Sequence, residues 1–130
     1  MLTTAGLHHL ALRVTDLARS KAFYSDVFGM QTLLEVEDLA LLSGHGFMLG
    51  LRATTNPPSD DAFDPARVGL DHLALAVSDV AALEQMQRQL EGAGVRNNGV
   101  EQDALTGATY VSVYDPDGIA WELYVMPSAG

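Results

Sequence analysis

Two stretches of the chain share one pattern of apolar and polar positions. GLHHLALRVTDL at 6–17 and GLDHLALAVSDV at 69–80 are identical at eight of twelve positions and lie 63 residues apart. Each alternates with the period of a half-buried strand and ends on Thr15-Asp16 or Ser78-Asp79, side chains suited to cap a helix. Helical spacing follows in LARSKAFYSDVFG and VAALEQMQRQLEG. Leu17, Phe23, Tyr24, Val27 and Phe28 group on one side of the first segment, and Leu83, Met86 and Leu90 on one side of the second. Gly29 and Gly92 stand where left-handed helix caps belong. Three short strand-like runs come next in each half: QTLLEVE, LALLSG and FMLGLRA in the first, VRNNGVEQ, TYVSVYD and AWELYVM in the second. Gly44, Gly46 and the Asp115-Pro116-Asp117-Gly118 turn punctuate them.

The pattern therefore predicts βαβββ twice, an α+β chain of two tandem modules within one domain. Module one spans about 6–54, the Pro- and Asp-rich segment at about 55–68 is the linker, and module two spans about 69–126. A solenoid is excluded, since that architecture needs three or more units. Composition narrows the function classes. Seventeen acidic residues against seven basic ones give a formal charge of −10, which opposes a surface that tracks phosphates, so nucleic acid is not an expected partner. The chain has no cysteine, which removes thiolate metal sites and disulfides and suits a reducing compartment. Neither a signal peptide nor a membrane span is evident, and a cytoplasmic home is expected.

Strand faces then separate the four histidines. Neighbouring residues on a strand point to opposite faces. In the first strand Leu7, His9, Ala11, Arg13 and Thr15 share one face, while His8, Leu10, Leu12 and Val14 share the other, which is the face expected to pack on the helix. The second copy divides the same way, with His72, Ala74 and Ala76 set against Asp71, Leu73, Leu75 and Val77. His9 thus matches His72, and His8 matches Asp71. A histidine followed on its own face by alanine has open space before it, as a ligand requires. His8 is expected to be structural, satisfied by backbone or water, and His45 lies in a turn where solvation suffices. The last strand places Ala120, Glu122 and Tyr124 opposite Trp121, Leu123 and Val125, and the strand before it places Tyr110, Ser112 and Tyr114 opposite Val111 and Val113.

If the apolar rows face the helices, then His9, His72 and Glu122 face one cavity. Two imidazoles and one carboxylate suit a divalent transition metal with open positions for substrate, Fe(II) above all, with Mn, Zn, Ni or Co as other occupants. The competing reading makes Glu122 an ordinary strand-edge carboxylate and leaves the histidines to pack or hydrogen-bond.

With these residues in view, HLALRVTDLARSKAFYSDVFGM, HLALAVSDV and YDPDGIAWEL resemble the vicinal oxygen chelate superfamily. That group contains glyoxalase I, extradiol dioxygenases, methylmalonyl-CoA epimerase, fosfomycin-resistance thiol transferases and bleomycin-resistance proteins. The resemblance implies an incomplete mixed β-barrel around a metal-centred cavity, a homodimer, a small-molecule substrate, and His9, His72 and Glu122 as metal ligands. Glyoxalase I adds a fourth ligand on the last strand of the first module, and aligning DGIAWEL with GFMLGL puts Gly50 there, leaving Glu35 or Glu37 as distant substitutes.

The three-ligand pattern is that of extradiol dioxygenases, and the expected reaction leans that way. Their acid–base equipment is incomplete here. Ser112 stands in the tyrosine place, and Asp103, Ala104 and Leu105 stand where a histidine belongs, which leaves Tyr110, Tyr114 and Ser112 as the catalytic candidates. Fosfomycin-type transfer fits less well, because Ala11 replaces a required hydroxyl and Lys21 is the only lysine. Ala11, Arg13, Met48, Arg52 and Ala74 are expected to line the substrate pocket, with the two arginines on a carboxylate or enolate oxygen unless a rim salt bridge occupies them. Trp121 should lie outside it. A glyoxalase-type isomerase or lyase and a non-catalytic antibiotic-binding protein are the alternatives.

Overall fold

The computed structural model describes residues 1–125, which form two compact units, 1–61 and the described residues from 62 onward, that repeat one topology. The first unit runs β1 (His9–Val14), α1 (Leu17–Asp26), β2 (Gln31–Val36), β3 (Leu39–Gly44) and β4 (Phe47–Ala53). The second runs β5 (Leu73–Ala76), α2 (Val80–Gly92), β6 (Asn97–Gln102), β7 (Thr109–Tyr114) and β8 (Ala120–Val125). Each builds an open four-stranded mixed sheet, ordered β1-β4-β3-β2 and β5-β8-β7-β6. The first strand of each unit pairs in parallel with the last, and the remaining pairs are antiparallel. The protein is thus α+β with two tandem modules.

Both helices start where aspartate ends the strand pattern. The Asp16 carboxylate accepts the Arg19 N–H at 3.0 Å, and that of Asp79 accepts the Ala82 N–H at 2.8 Å, satisfying amides that the first helical turn leaves unpaired. Two expectations at the helices are corrected. Gly29 does take positive φ, but Gly92 stays inside α2, and the left-handed residue is Gly94 (φ 70°). There the Val95 N–H reaches back to the Leu90 carbonyl at 3.0 Å, closing the helix two residues later than the first glycine suggests. Met86 does not join the packed side of α2. It is exposed, whereas Leu83 and Leu90 are buried and Gln87 turns inward to Asn97 and Glu91.

One face of each sheet is dry. In the first unit Leu12, Val14, Leu49, Leu51, Ala40 and Leu42 are buried with Tyr24 of α1, whose ring packs edge-on to Phe28 at 5.2 Å. In the second, Trp121, Val111 and Val113 are buried with Leu83 of α2. Trp121 accordingly lies on the face away from Glu122. Burial on this face fixes register, because a slip of one residue would turn every apolar side chain to the other side.

Candidate functional site

The register assigns the open face of each sheet. In the first unit the parallel pairing sets His9 beside Met48, Ala11 beside Gly50 and Arg13 beside Arg52, and β3 continues these rows with Ser43, Leu41 and Leu39. In the second, Ala74 lies beside Glu122 and Ser112, while Ala76 lies beside Tyr124, Tyr110 and Glu101. The two pairings are equivalent: Ala11 faces Gly50 as Ala74 faces Glu122, each alanine two residues after its histidine. Gly50 therefore occupies the counterpart of Glu122, and no carboxylate stands at that position in the first unit. Glu35 does not replace it. Its row runs through Ala40 and Leu51 to Leu12, the helix-packed face, where it pairs with Lys21 of α1 at 2.6 Å. The lysine is thereby engaged away from the open face as well.

His72 precedes β5 and is partly exposed. Its Nδ1 lies 2.6 Å from a carboxylate oxygen of Asp71, and its Nε2 lies 3.3 Å from Oε2 of Glu122. Donor atoms bound side by side to one transition-metal ion through bonds of about 2.0–2.2 Å lie roughly 3 Å apart. This imidazole and carboxylate are already set at such a spacing. Glu122 owes its place to the turn before β8. There buried Asp115 accepts the N–H groups of Asp117 at 2.9 Å and Ile119 at 2.8 Å, and Gly118 supplies the positive φ of 81° that the turn requires.

The first unit has a similar arrangement at His9. His8 and His9 meet edge-on, with their Nδ1 atoms 2.8 Å apart. His8 lies just outside β1 and is exposed, so its partner is the neighbouring ring and not the apolar row expected from alternation. His45 is held more firmly than a solvated turn residue. In the left-handed region (φ 54°), it donates its Nε2–H to the Phe28 carbonyl at 2.6 Å. Among the described residues, no three histidine, aspartate or glutamate side chains gather as a metal-holding group within either unit.

The catalytic candidates differ in their freedom. Ser112 is the cross-strand neighbour of Glu122. Tyr110 stacks on Tyr124 with centroids 5.8 Å apart, and burial, then the charge and hydrogen bond of Glu101, push its phenol above the usual tyrosine value. Tyr114 is committed at the β6 side, where its hydroxyl accepts from Asn98 at 2.8 Å and the Arg96 guanidinium lies 4.2 Å over its ring. Tyr124 joins the same face with a network of its own. It donates to Asp103 at 2.9 Å and accepts from the Thr106 hydroxyl at 2.5 Å. Sequence reasoning assigned Tyr124 and Asp103 no site role, although Tyr124 stands two residues after Glu122 and shares its face. The only signal for Asp71 was its alignment with His8.

Arg13 and Arg52 stand side by side on the open face of the first sheet, and among the described residues neither makes an ion pair. The Arg13 guanidinium donates to the Ala53 carbonyl at 3.1 Å, which fixes its position without neutralising it.

A duplicated βαβββ fold whose open faces begin on matched histidines defines a class, the tandem-module α+β proteins of vicinal oxygen chelate architecture. The chain belongs to the Glyoxalase/Bleomycin resistance protein/Dioxygenase superfamily, whose family model matches residues 6–123. It is 34% identical to uncharacterized protein YaeR of Escherichia coli (strain K12), over 95% of this chain and 98% of that one. It is 26% identical to metallothiol transferase FosB of Lysinibacillus sphaericus (strain C3-41), over 95% and 84%. A glyoxylase/bleomycin resistance protein/dioxygenase domain from Frankia sp. EAN1pec shares the fold, with a TM-score of 0.82 at 24% identity over 96% of this chain and all of that one.

Proposed function

We propose that the protein is a metal-dependent enzyme whose substrate chelates the metal through two adjacent oxygens, with His9, His72 and Glu122 as the protein ligands. The observation that carries this reading is the 3.3 Å approach of His72 Nε2 to Glu122 Oε2 on a face where alanine and serine flank the carboxylate and tyrosines and Glu101 form the next row. A bound divalent ion would supply Lewis acidity toward negative charge developing on the substrate oxygens. Fe(II) is the favoured occupant, with Mn, Zn, Ni or Co as others.

The chain's own residues narrow the chemistry. Gly50 in the place equivalent to Glu122 removes a fourth ligand, a second carboxylate that would hold the metal more tightly and take a proton. Three ligands leave more open positions, which supports extradiol dioxygenase-like ring cleavage, where both substrate oxygens and O2 need access. Tyr110, whose phenol is held protonated, suits proton donation to a substrate oxygen and not proton abstraction. Arg13 and Arg52, which have no carboxylate partner among the described residues, suit an anionic substituent on the substrate. A small-molecule substrate, a homodimer and a cytoplasmic home complete the reading. The second reading is glyoxalase- or thiol-transferase-type chemistry, favoured by the likeness to FosB, although the engagement of Lys21 by Glu35 leaves the arginines as the cations available for an anionic ligand.

The deciding test is O2 uptake by the Fe(II)-loaded protein across a panel of catechols, run beside conversion of α-ketoaldehydes. Catechol-dependent O2 uptake that His72→Ala abolishes supports ring cleavage. Conversion of α-ketoaldehydes without O2 uptake supports the second reading, and loss of neither activity in His72→Ala contradicts both.

A further inference from the structure

Each of the two matched histidines has its Nδ1 engaged by the side chain immediately before it: Asp71 for His72 at 2.6 Å and His8 for His9 at 2.8 Å. The coincidence is specific, because side chains of adjacent strand residues normally diverge. Here each pair sits at the entry to its strand, where alternation has not yet begun, and the preceding side chain can turn back onto the ring. An imidazole that donates from Nδ1 carries its lone pair on Nε2, and the partner of the non-ligating nitrogen thereby fixes which atom is offered to a metal. In the second unit that atom is the one aimed at Glu122.

We propose that Asp71 and His8 are positioning residues: each accepts the Nδ1 proton of the histidine that follows and so presents that ring's Nε2 as the donor atom. The proposal rests on the metal-site reading above and extends it to residues that do not touch the ion.

The two partners differ in a way that has a consequence. A carboxylate only accepts: Asp71 does so at Nδ1 from 2.6 Å while Glu122 faces Nε2 from the longer 3.3 Å, so the closer acceptor favours the Nδ1 proton, and an ion held by Nε2 and Glu122 together would remove the competing one. His8 can accept from His9 or donate to it. When it donates, the His9 proton moves to Nε2 and that ring cannot ligate. If the two settings were equally populated, apparent affinity through His9 would fall about twofold relative to a ring fixed in the ligating form. Replacing His8 by aspartate removes the unproductive setting and makes the first unit like the second.

The test reads two quantities on the full chain: the ring tautomers of His9 and His72 in the metal-free protein, by long-range 1H–15N NMR, and Co²⁺ affinity, by visible absorption titration. In the wild type, His72 is expected in the Nδ1-protonated form. Asp71→Ala should release it to the other tautomer and weaken Co²⁺ binding about 10–100-fold, the range typical of lost outer-shell partners. Asp71→Asn, whose amide oxygen can still accept, should recover much of that loss. His8→Ala should weaken binding in the same sense, and His8→Asp should match or exceed the wild type. Unchanged tautomer and unchanged affinity in Asp71→Ala, with binding abolished in His72→Ala, would overturn this proposal and leave the metal site standing. Absence of Co²⁺ binding in the wild type would overturn the metal-site reading instead, and the tautomer spectra would still decide whether Asp71 and His8 set the rings.

Discussion

Tyr110 is raised above the ordinary tyrosine value by burial first and by Glu101 second, and Asp103 is lowered by hydrogen bonds from the Leu105 amide, Tyr124 and Thr106. The signs fix two pH windows. Asp103 favours the folded state while it is ionised, so its contribution is present above the unfolded value near 3.8 and is lost as pH falls below it. Tyr110 favours the folded state while protonated, so its contribution holds up to the unfolded value near 10.0 and is lost at higher pH. Tyr110→Phe should therefore remove one step from the high-pH part of a phenolate absorbance titration. Ser20 presents a different case. Its hydroxyl is fully buried in α1 and has no hydrogen-bond partner among the described residues. Ser20→Ala should leave stability unchanged or raise it by about 1 kcal/mol in urea unfolding, since it removes a desolvated hydroxyl and improves helix propensity. Neither environment was legible in the sequence, because each depends on residues brought in from other strands and turns. Alternation separates His9 from His8 by strand face, yet the contact between them was not legible, since alternation describes the strand and not its entry.

At the scale of elements the repeat carried most of the information. Two strands with the same apolar row, each ending on a capping aspartate, were enough to place α1 and α2 and to set His9 against His72. The structure adds the parallel registers that make Gly50 the counterpart of Glu122. Helix ends were less legible, because two glycines two residues apart, Gly92 and Gly94, offer the same signal, and the return of the Val95 N–H to Leu90 decides between them. Met86 matches the apolar spacing of α2, but Gln87 turns inward where it can pair with Asn97, a partner at the start of β6 that helical spacing cannot reveal. The turn before β8 is the element on which the site depends most. Asp115→Ala would strand the buried amides of Asp117 and Ile119 and should cost about 1–3 kcal/mol. Because this turn sets the start of β8, the same variant should also weaken metal binding through Glu122, which a titration at a temperature where it remains folded would show.

For the molecule as a whole, a charge of −10 opposes a surface that tracks nucleic-acid phosphates, and no helix among the described residues is long and apolar enough to cross a membrane. The duplication gives two units of one topology and two matched histidines, and departs from symmetry where function is expected: Glu122 in one unit and Gly50 in the other, Asp71 in one and His8 in the other. Fold class and module order were legible because they follow from a repeated periodicity. The reaction was not, because ring cleavage, isomerisation and thiol transfer can share one set of ligands and differ in a few acid–base groups. Every functional step proposed for the protein rests on the metal site. Its most direct test is the metal content of the purified and reconstituted protein by inductively coupled plasma mass spectrometry, compared for wild type, His72→Ala and the control His45→Ala. A metal site built on these ligands predicts about one transition-metal ion per chain in the wild type and in His45→Ala, with loss in His72→Ala. A wild type that retains no transition metal, or a His72→Ala protein that retains it fully, would contradict it.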